Sequence, residues 1–292
     1  MLEDPNIDVE TLRSLEKSAV GVIVDKNGEI LHQGPMAVRQ QYDLYTEEEH
    51  DVWKILYTRQ RAQLEEIGYP VWLEAGDRIG LSAERIPKFS DLRKEIKQKT
   101  GWQPVPVEGF LDAHDYFSYL AKRQFPTVPS IRKREELEFI SAPDVFHDAF
   151  GHLPMHTHPT FADFLQLFGQ TALKSHTEEE MIQMQRLYWF TVEYCIIDYK
   201  GELRVCGSGH MSGIKEARYS LTDEVTKKPF NLDDVIHQEF NPHILQPIMF
   251  VIDSYDQLYA AMQEMAERMD EKYPGEDEPK EPVHGSIFFI DF

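Results

Sequence analysis

The sequence predicts a single α+β domain that is mainly helical, with a few short strands. Three observations carry this. Apolar residues recur at helical spacing over several long segments. Runs suited to strands are few and short. The composition, 41% hydrophobic and 28% charged over 292 residues, is that of a globular chain large enough to bury its own core.

Residues 1–41 read as an N-terminal extension. Residues 19–24 form a short apolar run, Asp25-Lys26-Asn27-Gly28 supplies a turn, and Ile30-Leu31 returns, a weak hairpin. Thr46-Glu47-Glu48-Glu49 has the form of a capping box and opens a long helix to about Glu66. Its apolar stripe is Val52, Trp53, Ile55, Leu56, Tyr57 and Leu64, and Gly68-Tyr69-Pro70 ends it. Residues 89–100 make a short helix closed by Thr100-Gly101, after which Pro104, Pro106 and Gly109 mark an extended connector. Residues 112–125 are helical until Pro126 and Pro129. Residues 142–155, 160–174 and 178–199 read as three more helices. Gly201, Gly207, Gly209 and Gly213 break up the next region, where short strands are expected. A last helix covers 251–269. The main domain is therefore 42–270, and 271–292 is an acidic tail, mostly disordered, whose apolar end 287–290 docks back.

Thirty Lys and Arg against 51 Asp and Glu leave a formal charge of −21. Such a surface repels phosphate backbones and anionic lipids, so neither nucleic acid nor membrane is an expected partner. The densest apolar stretch, Pro247-Ile248-Met249-Phe250-Val251-Ile252, is too short to span a bilayer. Two cysteines, Cys195 and Cys206, cannot build a disulfide framework and read as reduced, buried and structural. The acidic N-terminus has no signal-peptide pattern, so a cytoplasmic location is expected.

Histidine is used unevenly. Of twelve, four fall between His147 and His158: His147, His152, His156 and His158. Neutral imidazole is the commonest transition-metal ligand. His147 and His152 stand about 140° apart on an ideal α-helix, from 3.6 residues per turn. They converge only if the helix ends between them, and Gly151 and Pro154 are where it would end. The zinc-protease pattern is absent, and the cysteines are badly placed for structural zinc. Two histidines with one carboxylate suit non-haem iron(II) with open positions for oxygen. Glu193 fits as the carboxylate, since it is the one charge in Leu187-Tyr188-Trp189-Phe190-Thr191-Val192-Glu193-Tyr194-Cys195-Ile196-Ile197. An Arg partner for Glu193 is the competing explanation. His156 and His158 read as exposed loop histidines.

The stretch Pro143-Asp144-Val145-Phe146-His147-Asp148, continuing through Gly151-His152 and Pro154, resembles the metal motif of the pterin-dependent aromatic amino acid hydroxylases. Phe161-Ala162-Asp163-Phe164 continues it, and Tyr188-Trp189-Phe190-Thr191-Val192-Glu193-Tyr194 resembles the family's glutamate-ligand helix. Arg85-Ile86-Pro87, Thr100-Gly101-Trp102 and the 120–126 segment also match, so the likeness spans about Tyr42 to Leu258. Length and layout are most similar to the bacterial, phenylalanine-hydroxylating members.

The resemblance implies iron(II) held by His147, His152 and Glu193, with tetrahydrobiopterin or a related reduced pterin as electron donor and O2 as oxidant. One oxygen atom goes to the ring of the amino acid and the other to the pterin, so the activity implied is phenylalanine 4-monooxygenase. Arg132 is implied as the clamp on the substrate carboxylate, a task that suits a guanidinium. Asp144 supports it, Trp189 walls the ring pocket, and Gly209 and Ser212 close the substrate site, with Glu216 in the same stretch. Gly109, Phe110, Leu111, Tyr116 and Asp148 are implied to hold the pterin, and Tyr188 and Ser212 to act beside the iron. This chain departs from the family pattern at Ala142, Cys206, His210, Gly213 and Leu245, and carries Tyr116 where relatives usually have Phe. With no coiled-coil tail visible, a monomer or weak dimer is expected. The alternatives are hydroxylation of tryptophan or at another ring position, a pterin- or amino-acid-binding protein without turnover, and a zinc hydrolase using His152, His156 and His158.

Overall fold

The computed structural model describes residues 20–24, 30–108, 111–138, 142–276 and 278–284. The expected hairpin is present as β1 (Val20–Val24) and β2 (Ile30–Pro35), paired antiparallel; its turn lies outside the described residues. It seats on the body of the domain. Ile23 and Ala37 bury against Val105, Val107, Leu111 and Tyr119, and the Tyr119 hydroxyl donates to the Pro35 carbonyl at 2.7 Å.

Helix α1 (Glu47–Ile67) begins as expected. Thr46 N–H donates to Glu49 Oε2 at 2.7 Å, and Glu49 N–H donates back to Thr46 Oγ1 at 3.2 Å. Val52, Trp53, Leu56, Tyr57 and Leu64 form its buried stripe. Pro70 does more than stop α1: it occupies the first turn of a further helix, α2 (Pro70–Arg78), where its missing N–H costs nothing. Helix α3 (Phe89–Thr100) closes on Gly101 with φ 81°, the left-handed conformation that glycine takes freely.

Helix α4 (Ala113–Ala121) is shorter than the pattern suggested. Residues after it form β4 (Gln124–Thr127), parallel to β3 (Gln103–Pro106). Prolines are tolerated there because β3 and β4 form a two-stranded ladder, so each has an edge on which the missing N–H is not needed. Helix α5 (Pro159–Ala172) is wedged between α4 and α10 (Tyr255–Lys272) at the centre of the core.

Two expected helices are corrected. The 178–199 segment is α6 (Glu178–Tyr188), then a wide turn at Trp189–Glu193, then strand β5 (Cys195–Tyr199). Its end is β-branched and aromatic, and it pairs with β6 (Glu202–Val205) and β8 (Ile248–Ile252). The sheet order is β6-β5-β8-β7, with β7 at Thr226–Pro229. The apolar run at 248–252 is therefore a strand, and the last helix starts only at Tyr255, capped by Ser254. Short helices α7 (Ser208–Ser212), α8 (Ile214–Tyr219) and α9 (Leu232–His237) complete the chain.

The beginning of the tail is held rather than disordered. Helix α10 runs to Lys272, and Tyr273 stacks on His176 and donates its hydroxyl to Glu180 at 2.9 Å. Residues 287–290 lie outside the described residues. Cys195 and Cys206 are free and buried, as expected.

Candidate metal centre and substrate cleft

Residues His147–His152 wind as a π-helical turn. Leu153 N–H reaches Asp148 O, five residues back, where an α-helix would reach four. This answers the 140° difficulty by a route the sequence did not suggest. The helix does not end at Gly151. It widens, and widening brings residues five apart to one face. His147 Nε2 and His152 Nε2 then lie 3.1 Å apart. The turn runs on into a tight 3-10 turn, Leu153–Thr157. Gly151 has a different use: a Cβ there would sit 2.8 Å from the Ser208 carbonyl, so only glycine lets α7 lie against the turn.

The carboxylate arrives on a second π-helical turn, Trp189–Glu193, where Tyr194 N–H bonds Trp189 O at 2.7 Å. Glu193 Oε1 is 3.2 Å from His152 Nε2, and Oε2 is 3.7 Å from His147 Nε2. Among the described residues Glu193 has no Arg partner; it meets the two imidazoles and Ser208, whose hydroxyl donates to Oε2 at 2.8 Å. Asp148 also lies within 4.8 Å of both imidazoles. However, burial raises the Asp148 pKa well above the usual carboxylate range, while Glu193 is held low and ionised, so Glu193 fits better as the third ligand.

The network sets the tautomer of His147. Ser212 has one hydroxyl hydrogen, which goes to the Ser208 carbonyl at 3.0 Å. Its oxygen therefore accepts from His147 Nδ1–H at 2.8 Å, leaving the Nε2 lone pair facing Glu193. Burial lowers the His147 pKa to about 4, with the attraction of Glu193 only partly opposing it, so the ring is neutral near pH 7. Burial pushes Glu193 the other way, but the charge and hydrogen bond of His152, then His147 and Ser208, outweigh it and bring the carboxyl to about 2. Two imidazole nitrogens and an ionised carboxylate, 3.1–3.7 Å apart, with His152 and Glu193 buried and His147 partly so, form a donor set that fits a divalent metal.

The reading of His156 and His158 as exposed loop residues is wrong for His156, which is 1% exposed. Its Nδ1–H donates to the His152 carbonyl at 3.0 Å, and Trp102 and Phe125 pack edge-on against its ring. Burial drops its pKa to about 3. His158 is half-buried and caps α5, accepting the Phe161 N–H. Among the described residues His152, His156 and His158 do not form a metal-ligand group, which leaves the zinc-hydrolase alternative without its site.

A cleft of about 280 Å³ opens over the centre. Arg132, His147, Trp189, Glu193, Gly209 and Ser212 all line it. Arg132 is buried and pairs with Asp144 through Nε and Nη2, each at 2.9 Å, while Asp144 also accepts the backbone N–H of Arg132 and of His147. One carboxylate thus ties the arginine to the start of the ligand turn. Nη1 makes no hydrogen bond with the described residues, and Arg132 is part of the cleft lining. Trp189 stacks on Phe240 with centroids 4.4 Å apart.

Of the residues implied to hold the pterin, Leu111, Tyr116 and Asp148 are among those described. Leu111 is buried, and the Tyr116 hydroxyl lies 2.5 Å from that of Tyr188. Burial raises both phenols, and burial likewise raises Asp148 well above the usual carboxylate range, with Asp144 and Glu193 adding to it. Gly109 and Phe110 lie outside the described residues. Sequence reasoning missed Ser208 and His156, which orient Glu193 and the His152 backbone; the only signals were the glycines flanking Ser208 and the spacing of four from His152.

Comparison with known proteins agrees with this geometry. Residues 39–280 match the biopterin-dependent aromatic amino acid hydroxylase family. The phenylalanine-4-hydroxylase of Pseudomonas aeruginosa is 36% identical over 220 residues, 75% of this chain and 84% of that protein. The tyrosine 3-monooxygenase of Bos taurus is 30% identical over 239 residues, 80% of this chain and 48% of that protein. A structure of Chromobacterium violaceum phenylalanine hydroxylase with bound iron(III) and 7,8-dihydrobiopterin superposes with a TM-score of 0.77 at 29% identity, covering 96% of this chain and 99% of that one. A two-histidine, one-carboxylate centre on two π-helical turns, and a family match over most of the length, lead to one assignment: the chain belongs to the biopterin-dependent aromatic amino acid hydroxylases.

Proposed function

We infer that the chain is a phenylalanine 4-monooxygenase, converting L-phenylalanine to L-tyrosine with O2 and a reduced pterin. The observation that carries this is the cleft in which Arg132 and Trp189 share one wall with His147 and Glu193. His147, His152 and Glu193 would hold iron(II), and Leu111, Tyr116 and Asp148, with Gly109 and Phe110, the pterin. Together the bound iron and pterin supply activation of O2 and the two electrons that reduce its second atom.

The chain's own residues do the rest. Arg132 Nη1 takes the substrate carboxylate while Asp144 holds the guanidinium plane fixed. Trp189, backed by Phe240, limits the space for the substrate ring to phenyl size. Gly209 keeps the cleft open, since a Cβ there would strike the Tyr194 ring. Ser212 keeps His147 in one tautomer, and Tyr188 presents a protonated hydroxyl beside Glu193. Burial of Glu193 and His152 excludes bulk water from the floor of the cleft.

Residues 42–270 form the catalytic unit in this reading, with 1–41 an extension and 271–292 a tail. We place the enzyme in the cytoplasm as a monomer or weak dimer; among the described residues no helix is long and apolar enough to cross a membrane. The test is to load the protein anaerobically with iron(II), add reduced pterin and O2, and offer each aromatic amino acid in turn. Tyrosine from phenylalanine, identified by NMR, is expected. Preferred turnover of tryptophan, or oxygen at another ring carbon, would replace the reading. Trp189→Phe should shift the efficiency ratio toward tryptophan by about 10-fold or more, the scale of a pocket-shape change; an unchanged ratio would remove Trp189 as a wall.

A further inference from the structure

A second group of metal-ligating side chains lies at the start of α4. Asp112, His114 and Asp115 each offer a ligand atom, and these atoms lie within 4.8 Å of one another. His114 Nδ1 is 3.9 Å from Asp115 Oδ1. A fourth donor arrives from 172 positions along the chain: His284 Nδ1 sits 2.7 Å from Asp112 Oδ2. The His114 and His284 rings are 5.9 Å apart.

We propose that Asp112, His114, Asp115 and His284 form a second cation site, for a zinc-class divalent ion. Two features support this. First, the donors are two imidazoles and two carboxylates, the mixed nitrogen and oxygen set that four-coordinate zinc takes and that calcium, with six to eight oxygens, does not. Second, Asp112 divides its two oxygens. Oδ1 caps α4 by accepting the Asp115 N–H at 2.8 Å, which fixes the carboxylate and turns Oδ2 outward to His284. The side chains are 26–35% exposed at the start of the helix and 62% at His284, so an ion can enter and the exposed His284 ring is free of tight packing that would stop it turning in beside the other three donors. A bound ion would tie the tail to the helix that carries Tyr116.

The alternative is a simple capped helix with a His284–Asp112 ion pair, which predicts no zinc uptake. Protein already holding one equivalent of iron is titrated with Zn2+, and both metals are measured after gel filtration. One further equivalent of zinc, with iron retained, is expected. His114→Ala and His284→Ala should each weaken zinc binding at least tenfold while the iron equivalent stays. His284→Ala lies in an exposed tail and leaves the fold intact, so it keeps the test decisive even if His114→Ala folds poorly. Zinc uptake below a tenth of an equivalent, uptake matched by iron loss, or an affinity unchanged in His284→Ala would each overturn the proposal.

Discussion

Helix α1 and the two ligand-bearing turns are built from the same backbone and read very differently. Helix α1 follows every local rule: a reciprocal cap at Thr46 and Glu49, an apolar stripe, and a stop before Pro70. The turns at His147–His152 and Trp189–Glu193 obey none of them. Each is wound one residue too wide, and each is almost wholly buried. A π-helical turn has poorer hydrogen-bond geometry than an α-helix and persists where its surroundings favour it. Here those surroundings are Asp144, Ser208, Ser212 and His156, which grip the turns from outside. Regular helix supplies stability; irregular helix, held by neighbours, supplies the site.

That contrast can be broken at its strongest point first. His147→Ala, His152→Ala or Glu193→Ala should each abolish iron binding and turnover while circular dichroism stays near wild type. Full iron stoichiometry in any one of them would take that residue out of the centre. The next effect concerns the cleft. Arg132→Ala should raise KM for phenylalanine by an amount on the order of 2–5 kcal/mol, the range for truncating one partner of a buried charge pair. Iron content should hold. An affinity within about twofold of wild type would put the carboxylate clamp elsewhere.

Smaller effects sharpen the comparison. Gly207→Ala would push a methyl group into the Glu193 carbonyl, so the second turn must shift. Overpacking of this kind costs about 1–3 kcal/mol, and the loss should show in both the unfolding midpoint and iron affinity. Thr46→Ala removes only the α1 cap. It should cost about 1 kcal/mol of stability and leave iron affinity unchanged. Parallel losses in both variants would contradict the division between scaffold and site.

The weakest expected effect is one of pH. Burial opposes ionisation of Glu180, but Lys272, the His176 N–H and Tyr273 outweigh it and hold its pKa below the usual value. Its contribution is therefore complete above the ordinary glutamate pKa and is lost as pH falls through the lowered folded one. A Glu180→Gln variant should show a flatter decline in stability over that acidic window. Identical slopes would mean the contact is neutral.

Composition and local pattern were enough for the mainly helical α+β class, the first hairpin, α1, α3 and α5, and pointed to His147, His152 and Glu193 as a ligand set. Those features rest on caps, periodicity and the cost of a lone charge among apolar residues, all of which act within a few neighbours in sequence. Tertiary structure decided the rest. Residues 195–199 and 248–252 became strands because they pair with each other. Residues 147–152 widened into a π turn because α7 and Asp144 fit that shape, and His156 was drawn inside to hold the His152 carbonyl. None of these outcomes is encoded within one window of sequence. Each depends on a partner more than ten residues away or on a hydrogen bond that an isolated helix would not make, and such partners exist only once the chain has folded.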